Sequence, residues 1–298
     1  MRYPSRYRRV SWPAAILTLA IILLAAAGCG GVGVGAIDET RTETLAIDYP
    51  AGDQTPQLAL GFGAARLHAD GQGTKLLEGT VRYNVVGLKP ETTTFGSRVE
   101  VRQSSNVTPS GMINEWDIHI GKSKPIMLEV NAGAYEGNWD LGGIPLRELT
   151  INQGASNSTL DFSQPNPTTM SRLQVRTGAA ALTLKNLCNA GFERMLFEGG
   201  ASAYTLDFGG ILQRDAYIEV RTGLSDLNLV LPPDVPAQIR VRESITAVDA
   251  DPGLVSRGRY YYTPAWDSGA GPRLTIDVTM GMGHVGLRLG RPSGAKEI

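Results

Sequence analysis

The chain has 298 residues, of which 19% are charged and 42% hydrophobic, with 36 glycines. This composition excludes a disordered polyelectrolyte and a multi-span membrane protein, and the glycines show no collagen period. Lys and Arg number 28 against 29 Asp and Glu, without the basic excess of a nucleic-acid binder, so no nucleic-acid partner is expected.

The basic charge is concentrated at the start. Arg2, Arg6, Arg8 and Arg9 are the only charged residues before Asp38, and the rest of the chain holds 24 basic and 29 acidic groups. Ala14 to Gly28 is apolar apart from Thr18. As a helix these residues would span about 22 Å, short of the ~30 Å hydrocarbon core. A basic head, a short apolar stretch and a run of small residues read as a secretory signal over 1–28. Its end, Ala26-Ala27-Gly28-Cys29, resembles a bacterial lipobox with Ala26 where Leu is usual. Cys29 is therefore the expected lipidation site, followed by a linker over 29–44. The alternative is an uncleaved N-terminal helix, because residues 14–37 carry no charge. Both readings tether the body to a membrane outside the cytoplasm. Cys29 and Cys188 are the two cysteines. No disulfide framework is expected, and Cys188 reads as a buried filler rather than a nucleophile.

After residue 40 short alternating runs broken by Gly, Asn and Pro predict strands. One motif recurs: apolar, any, apolar, any, any, Gly, often followed by Ala. It runs through Leu58–Gly63, Leu128–Gly133, Leu149–Gly154, Leu173–Gly178, Met195–Gly200, Ile218–Gly223 and Ile276–Gly281, with Ser244 in the Gly slot after Ile239 and Val241. A second apolar pair follows six and eight residues after the Gly, as in Leu160 with Phe162, Leu184 with Asn186 and Leu206 with Phe208. Each unit of about 21–24 residues thus reads as strand, Gly corner, strand, loop. Such a unit cannot bury its apolar face alone, whereas stacked units can. The fold class expected is all-β, a right-handed parallel β-helix (β-solenoid), with a β-sandwich as the alternative. The Gly is expected to supply either positive φ or close approach to the next rung, and the following Ala to sit inside the bend. Residues 45–127 form an N-terminal part, 128–251 the regular coils, and 252–298 a cap and last coil.

Stacking the repeats aligns Asp70, Asp140, Asp161, Lys185, Asp207, Val230, Asp251 and Arg288 in one outward column. Coils about 4.8 Å apart would make Asp140, Asp161, Lys185 and Asp207 a charge ladder, or a carboxylate face for a cation or glycan. Earlier in phase Arg176, Glu198 and Arg221 alternate similarly. Tyr260, Tyr261, Tyr262 and Trp266, with Arg257 and Arg259, form a candidate binding surface for sugars or, alternatively, a cap over the last coil. His68, His119 and His284 are scattered without metal-ligand spacing. No Gly-x-Ser-x-Gly elbow and no P-loop occurs in the sequence. No catalytic residue, metal or cofactor is assigned.

Leu58 to Gly63, Leu76-Leu77-Glu78-Gly79, Tyr83-Asn84 and Lys89-Pro90-Glu91, with Tyr260 to Tyr262 and Leu274 to Gly283, resemble the toast-rack family. These bacterial envelope proteins are related to the domain of cell-wall-active-antibiotic response proteins. The resemblance spans most of residues 45–290. It implies the right-handed β-helix, with envelope-stress sensing or adhesion-like roles, and carries over no catalytic residue. The reading is a membrane-tethered, extracytoplasmic binding, scaffold or sensor module, not an enzyme, its partner an envelope glycan or another envelope protein. The alternative is an envelope polysaccharide lyase or hydrolase.

Overall fold

The computed structural model describes residues 37–103, 110–242, 245–268 and 271–294. The signal segment, Cys29 and Ser244 lie outside the described residues. The strands in chain order are β1 (Ile37–Ile47), β2 (Gln57–Phe62), β3 (Ala65–Gly73), β4 (Leu77–Val85), β5 (Glu91–Phe95) and β6 (Arg98–Arg102). Next come β7 (Asn114–Gly121), β8 (Ile126–Asp140), β9 (Leu146–Asp161), β10 (Met170–Lys185), β11 (Phe192–Gly199) and β12 (Ser202–Asp207). The series ends with β13 (Ala216–Leu231), β14 (Ala237–Arg242), β15 (Ile245–Ala250), β16 (Val255–Arg257), β17 (Tyr260–Tyr262) and β18 (Leu274–Leu289). Among the described residues the architecture is all-β apart from three 3-10 turns, and no helix is long and apolar enough to cross a membrane.

The repeat is the rung of a parallel stack. Leu128 lies opposite Leu149, Leu149 opposite Leu173, Leu173 opposite Met195, and Met195 opposite Ile218. Beyond the corner, Trp139, Leu160, Leu184, Leu206, Leu229 and Leu287 form a second column. Every member of both columns is buried. Alternation puts every second residue inward, and each fully buried Leu or Ile contributes about 1.5–3 kcal/mol. Asn186 is not part of the inward pair after Gly178: it leaves the strand in the left-handed region, at φ 54°, and opens a 3-10 turn over Leu187–Ala190.

The corner glycines form a column of their own, and the reason for Gly is close approach. A Cβ on Gly178 would lie 2.8 Å from the Gly154 carbonyl oxygen, and one on Gly154 would lie 2.9 Å from that of Gly133. Neither glycine has positive φ. The Ala after each corner does not sit inside the bend: Ala134, Ala155, Ala179 and Ala201 are exposed. The bend turns them outward, so their small size is not imposed by the core.

The third side of each rung is loop, held by buried amides. Asn166, 3% exposed, donates through Nδ2 to the carbonyls of Leu146 (2.8 Å) and Ala190 (3.0 Å) and accepts from the Thr168 N–H (3.1 Å). One rung on, Asn189 Nδ2 donates to the Phe162 carbonyl, and its Oδ1 accepts from the Ile211 N–H. Cys188 sits among these loops, buried, with its thiol pushed up by burial. That environment disfavours the thiolate, as expected for an inert filler.

At both ends rung order departs from chain order. β2 and β3 are flanked by β8 on one side and by the later β6 and β7 on the other. At the far end β18 lies between β13 and the pair β14/β15, although it follows them in the chain. The stretches that interrupt the repeat, 72–127 and 252–275, therefore supply a further rung and covers for the ends. β5 covers β6, β4 covers β7, and β1 covers β4, all antiparallel. β17 runs antiparallel along β14, and β16 along β17. Such covers occupy edges that would otherwise recruit other strands.

Candidate functional site

An outward column stands two residues before each corner glycine. It passes through Asn131, Asn152, Arg176, Glu198, Arg221 and Thr279, each opposite the next on adjacent rungs. Asn152 Nδ2 donates to Asn131 Oδ1 at 2.9 Å. Arg176 Nε donates to Glu198 at 2.7 Å, and the Arg221 guanidinium reaches the other Glu198 oxygen at 3.4 Å. Glu129, one column over, is held below the usual carboxylate range by the Asn131 amide, with Arg98 at 3.0 Å. Exposed pairs of this kind contribute about 0–1 kcal/mol each, so their main effect is to fix orientation. The column lines an open groove of about 1330 Å³ that runs across the rungs, with Val86, Lys89 and Glu91 at one end.

Under the groove lies a buried polar seam. Gln153 accepts from the Tyr135 hydroxyl (2.7 Å) and donates to Ser156 Oγ (2.7 Å) and Thr177 Oγ1 (3.3 Å). Thr222, 8% exposed, lines the groove, and its Oγ1 finds no partner among the described residues. The charge alternation of Arg176, Glu198 and Arg221 was legible in the sequence. Asn131, Asn152 and Thr279 were missed, although their fixed offset from the glycines was the available signal.

The other candidate residues lie elsewhere. Asp140 stands opposite Asp161, and Asp161 opposite Lys185; Leu184 opposite Leu206 sets Lys185 level with Asp207. The prevalence of Asp here has a local cause. Asp70, Asp140, Asp207 and Asp251 each accept from the backbone N–H two residues on, at the strand end for the last three and at a register irregularity within β3 for Asp70. Asp140 also accepts from Ser163, and Asp161 from Asn186.

The aromatic residues lie along the edge of β14: Tyr262 faces Gln238, Tyr261 faces Ile239, and Tyr260 faces Arg240. Tyr260 stacks on Tyr262, with centroids 6.3 Å apart, and Trp266 packs 5.3 Å from Tyr262. Arg257 lies over Tyr262 and Arg273 over Trp266. The rings pack largely against one another and the terminal rung, the geometry of a cap.

His68 and His119, distant in sequence, flank Asp70. His119 Nδ1 is 2.7 Å from Asp70 Oδ1, and His68 Nε2 is 3.8 Å from Oδ2. Burial alone would raise the Asp70 pKa, but hydrogen bonds from His119 and the Gln72 N–H hold it below the usual range. The His119 pKa is raised by the bond to Asp70, with smaller contributions from Asp117 and Glu78. A raised His pKa gives stability that is complete below the unfolded value of about 6.5 and is lost as pH rises through the folded value; the depressed Asp70 pKa gives stability lost as pH falls below about 3.9 through its folded value. His119→Gln is expected to melt below the parent at pH 5.5, with the gap narrowing by pH 8.5. A gap constant across that range in thermal melts would show that His119 adds no titrating stability.

These elements define an all-β repeat module with a groove along its axis. The chain belongs to the toast-rack family: residues 36–185 match the model of the N-terminal domain of toast_rack, DUF2154. No curated protein matches the chain. Among solved structures it is similar to a proposed cell adhesion protein of Clostridium sporogenes, at 18% identity and a TM-score of 0.44, over 85% of this chain and 100% of that one. It is also similar to a proposed adhesin of Bacteroides fragilis, at 11% identity and a TM-score of 0.45, over 84% of this chain and 97% of that one.

Proposed function

We propose that this chain is a membrane-tethered, extracytoplasmic binding or scaffold module of the cell envelope, a right-handed parallel β-helix that recognises its partner through the axial groove. The observation that carries this reading is the in-register polar column along a groove of about 1330 Å³. Parallel crossovers within one sheet are right-handed almost without exception, which supports the handedness. The tether is lipid on Cys29 or, alternatively, the N-terminal helix. A lyase or hydrolase reading is less well supported. Glycoside hydrolysis uses two carboxylates flanking the scissile bond, whereas Glu198 in the groove is engaged by Arg176 and Arg221.

Two measurements test the proposal. Cys29→Ser is expected to abolish palmitate labelling and release the protein from the membrane fraction; retention without labelling would assign the tether to the helix. The full-length protein is expected to co-sediment with lipid-extracted envelopes, and Arg176→Ala with Arg221→Ala to lose that binding. Equal sedimentation of parent and double variant would remove the groove from the reading.

A further inference from the structure

We infer that the groove takes an extended, predominantly uncharged glycan strand, laid along the stack so that successive sugar rings step from rung to rung. This rests on the groove being the ligand site, and adds the ligand's class, direction and length. Asn131, Asn152, Arg176, Glu198, Arg221 and Thr279 occupy consecutive rungs in register. At about 4.8 Å per rung their span is roughly 24 Å. A ligand that repeats the same contact on each rung must itself repeat near that spacing. An extended polypeptide advances about 3.3 Å per residue and falls out of step, whereas an extended β-linked sugar chain advances by a similar step at each ring.

The chemistry of the column selects hydroxyl groups over charges. Amide, guanidinium and carboxylate groups succeed one another, so the floor offers donors and acceptors in planar pairs suited to neighbouring hydroxyls. The arginines of the groove are matched within the protein: Arg176 and Arg221 both engage Glu198, Arg221 also engages Glu219, and Arg102 engages Glu100. A polyanion would have to displace these carboxylates.

The test is calorimetric titration of the full-length protein in detergent with β-1,4-linked glucose and N-acetylglucosamine oligomers of one to eight rings, and with polyphosphate and polyglutamate. Affinity is expected to rise with each ring to about six and then level, and to change less than about twofold between 50 and 500 mM salt. Asn152→Ala and Glu198→Gln should each weaken binding about tenfold, while Arg172→Gln, on the same face but outside the groove, leaves it unchanged. Melting temperatures near the parent's would confirm that the variants are folded. Binding of the polyanions in place of the sugars, weakened by salt and by the groove variants, would overturn the glycan class and keep the groove. Sugar binding indifferent to the groove variants would overturn the groove itself. Failure of every sugar oligomer to bind would overturn the inference.

Discussion

Gly178→Val is expected to lower stability by about 2–3 kcal/mol, the upper range for forcing extra atoms into a packed site. A Cβ there would meet the Gly154 carbonyl oxygen at 2.8 Å, and Gly200 stands against Gly178 from the other side, its own Cβ position 2.5 Å from the Gly178 carbonyl oxygen. The obstacle to a Gly178 side chain is the Gly154 backbone, so no side chain can rotate away, and relief requires these two rungs to separate. Ala179→Val is the control. Ala179 is exposed, and the change should stay within about ±0.5 kcal/mol. Parallel thermal melts of the two variants check the pair. Equal shifts would mean that the corner column does not set the rung spacing.

Asn166→Leu should cost at least about 3 kcal/mol. The side chain satisfies two carbonyls and one N–H from three different stretches of backbone, and each group left buried and unpaired costs about 1–3 kcal/mol. Leucine has similar bulk and is fully apolar, so the loss isolates the hydrogen bonds from the packing. Asn166→Asp keeps the acceptor for Thr168 but presents carboxylate oxygens to two carbonyls. It should destabilise more than leucine at pH 7 and recover partly near pH 4, where the protonated acid regains one donor. Denaturant unfolding at the two pH values checks this, and a leucine variant as stable as the parent would show that loop packing alone holds the third side.

The rung was legible because its two requirements, alternating apolar residues and a phase-locked Gly, leave direct marks on the sequence. Register followed: Leu149 opposite Leu173 and Leu160 opposite Leu184 are what the repeat spacing predicts. The third side was illegible, because Asn166 and Asn189 do their work in loops of unequal length with no period to reveal them. Rung order at the ends was hidden for a different reason. Ile239 and Ile276 carry the same motif, and nothing local tells which of them stacks on Ile218; in the structure it is Ile276. The groove was half visible, its charged members as alternation and its amides not at all, since Asn in a β-rich sequence reads as a turn. The Asp column was legible as a column but misleading as to cause, because four of its members bind the backbone N–H two residues on.

In a stacked-repeat protein each unit contacts only its neighbours, and folding propagates between them. The placement of β18 between β13 and β14/β15 means that the order of stacking here is not the order of the chain. When β14 and β15 have emerged from the ribosome, the strand that is their parallel neighbour among the described residues has not yet been delivered. The cap strands β16 and β17 are then likewise without a stack to close. The segment 274–289 acts as a bolt rather than a last brick, sliding into a slot held open for it. A chain cut before that segment would lack one rung and leave the next without support, presenting two bare strand edges at once. Delivery of 274–289 is thereby a checkpoint in the fold, since a copy lacking it exposes strand edges of the kind that make incomplete chains prone to aggregate.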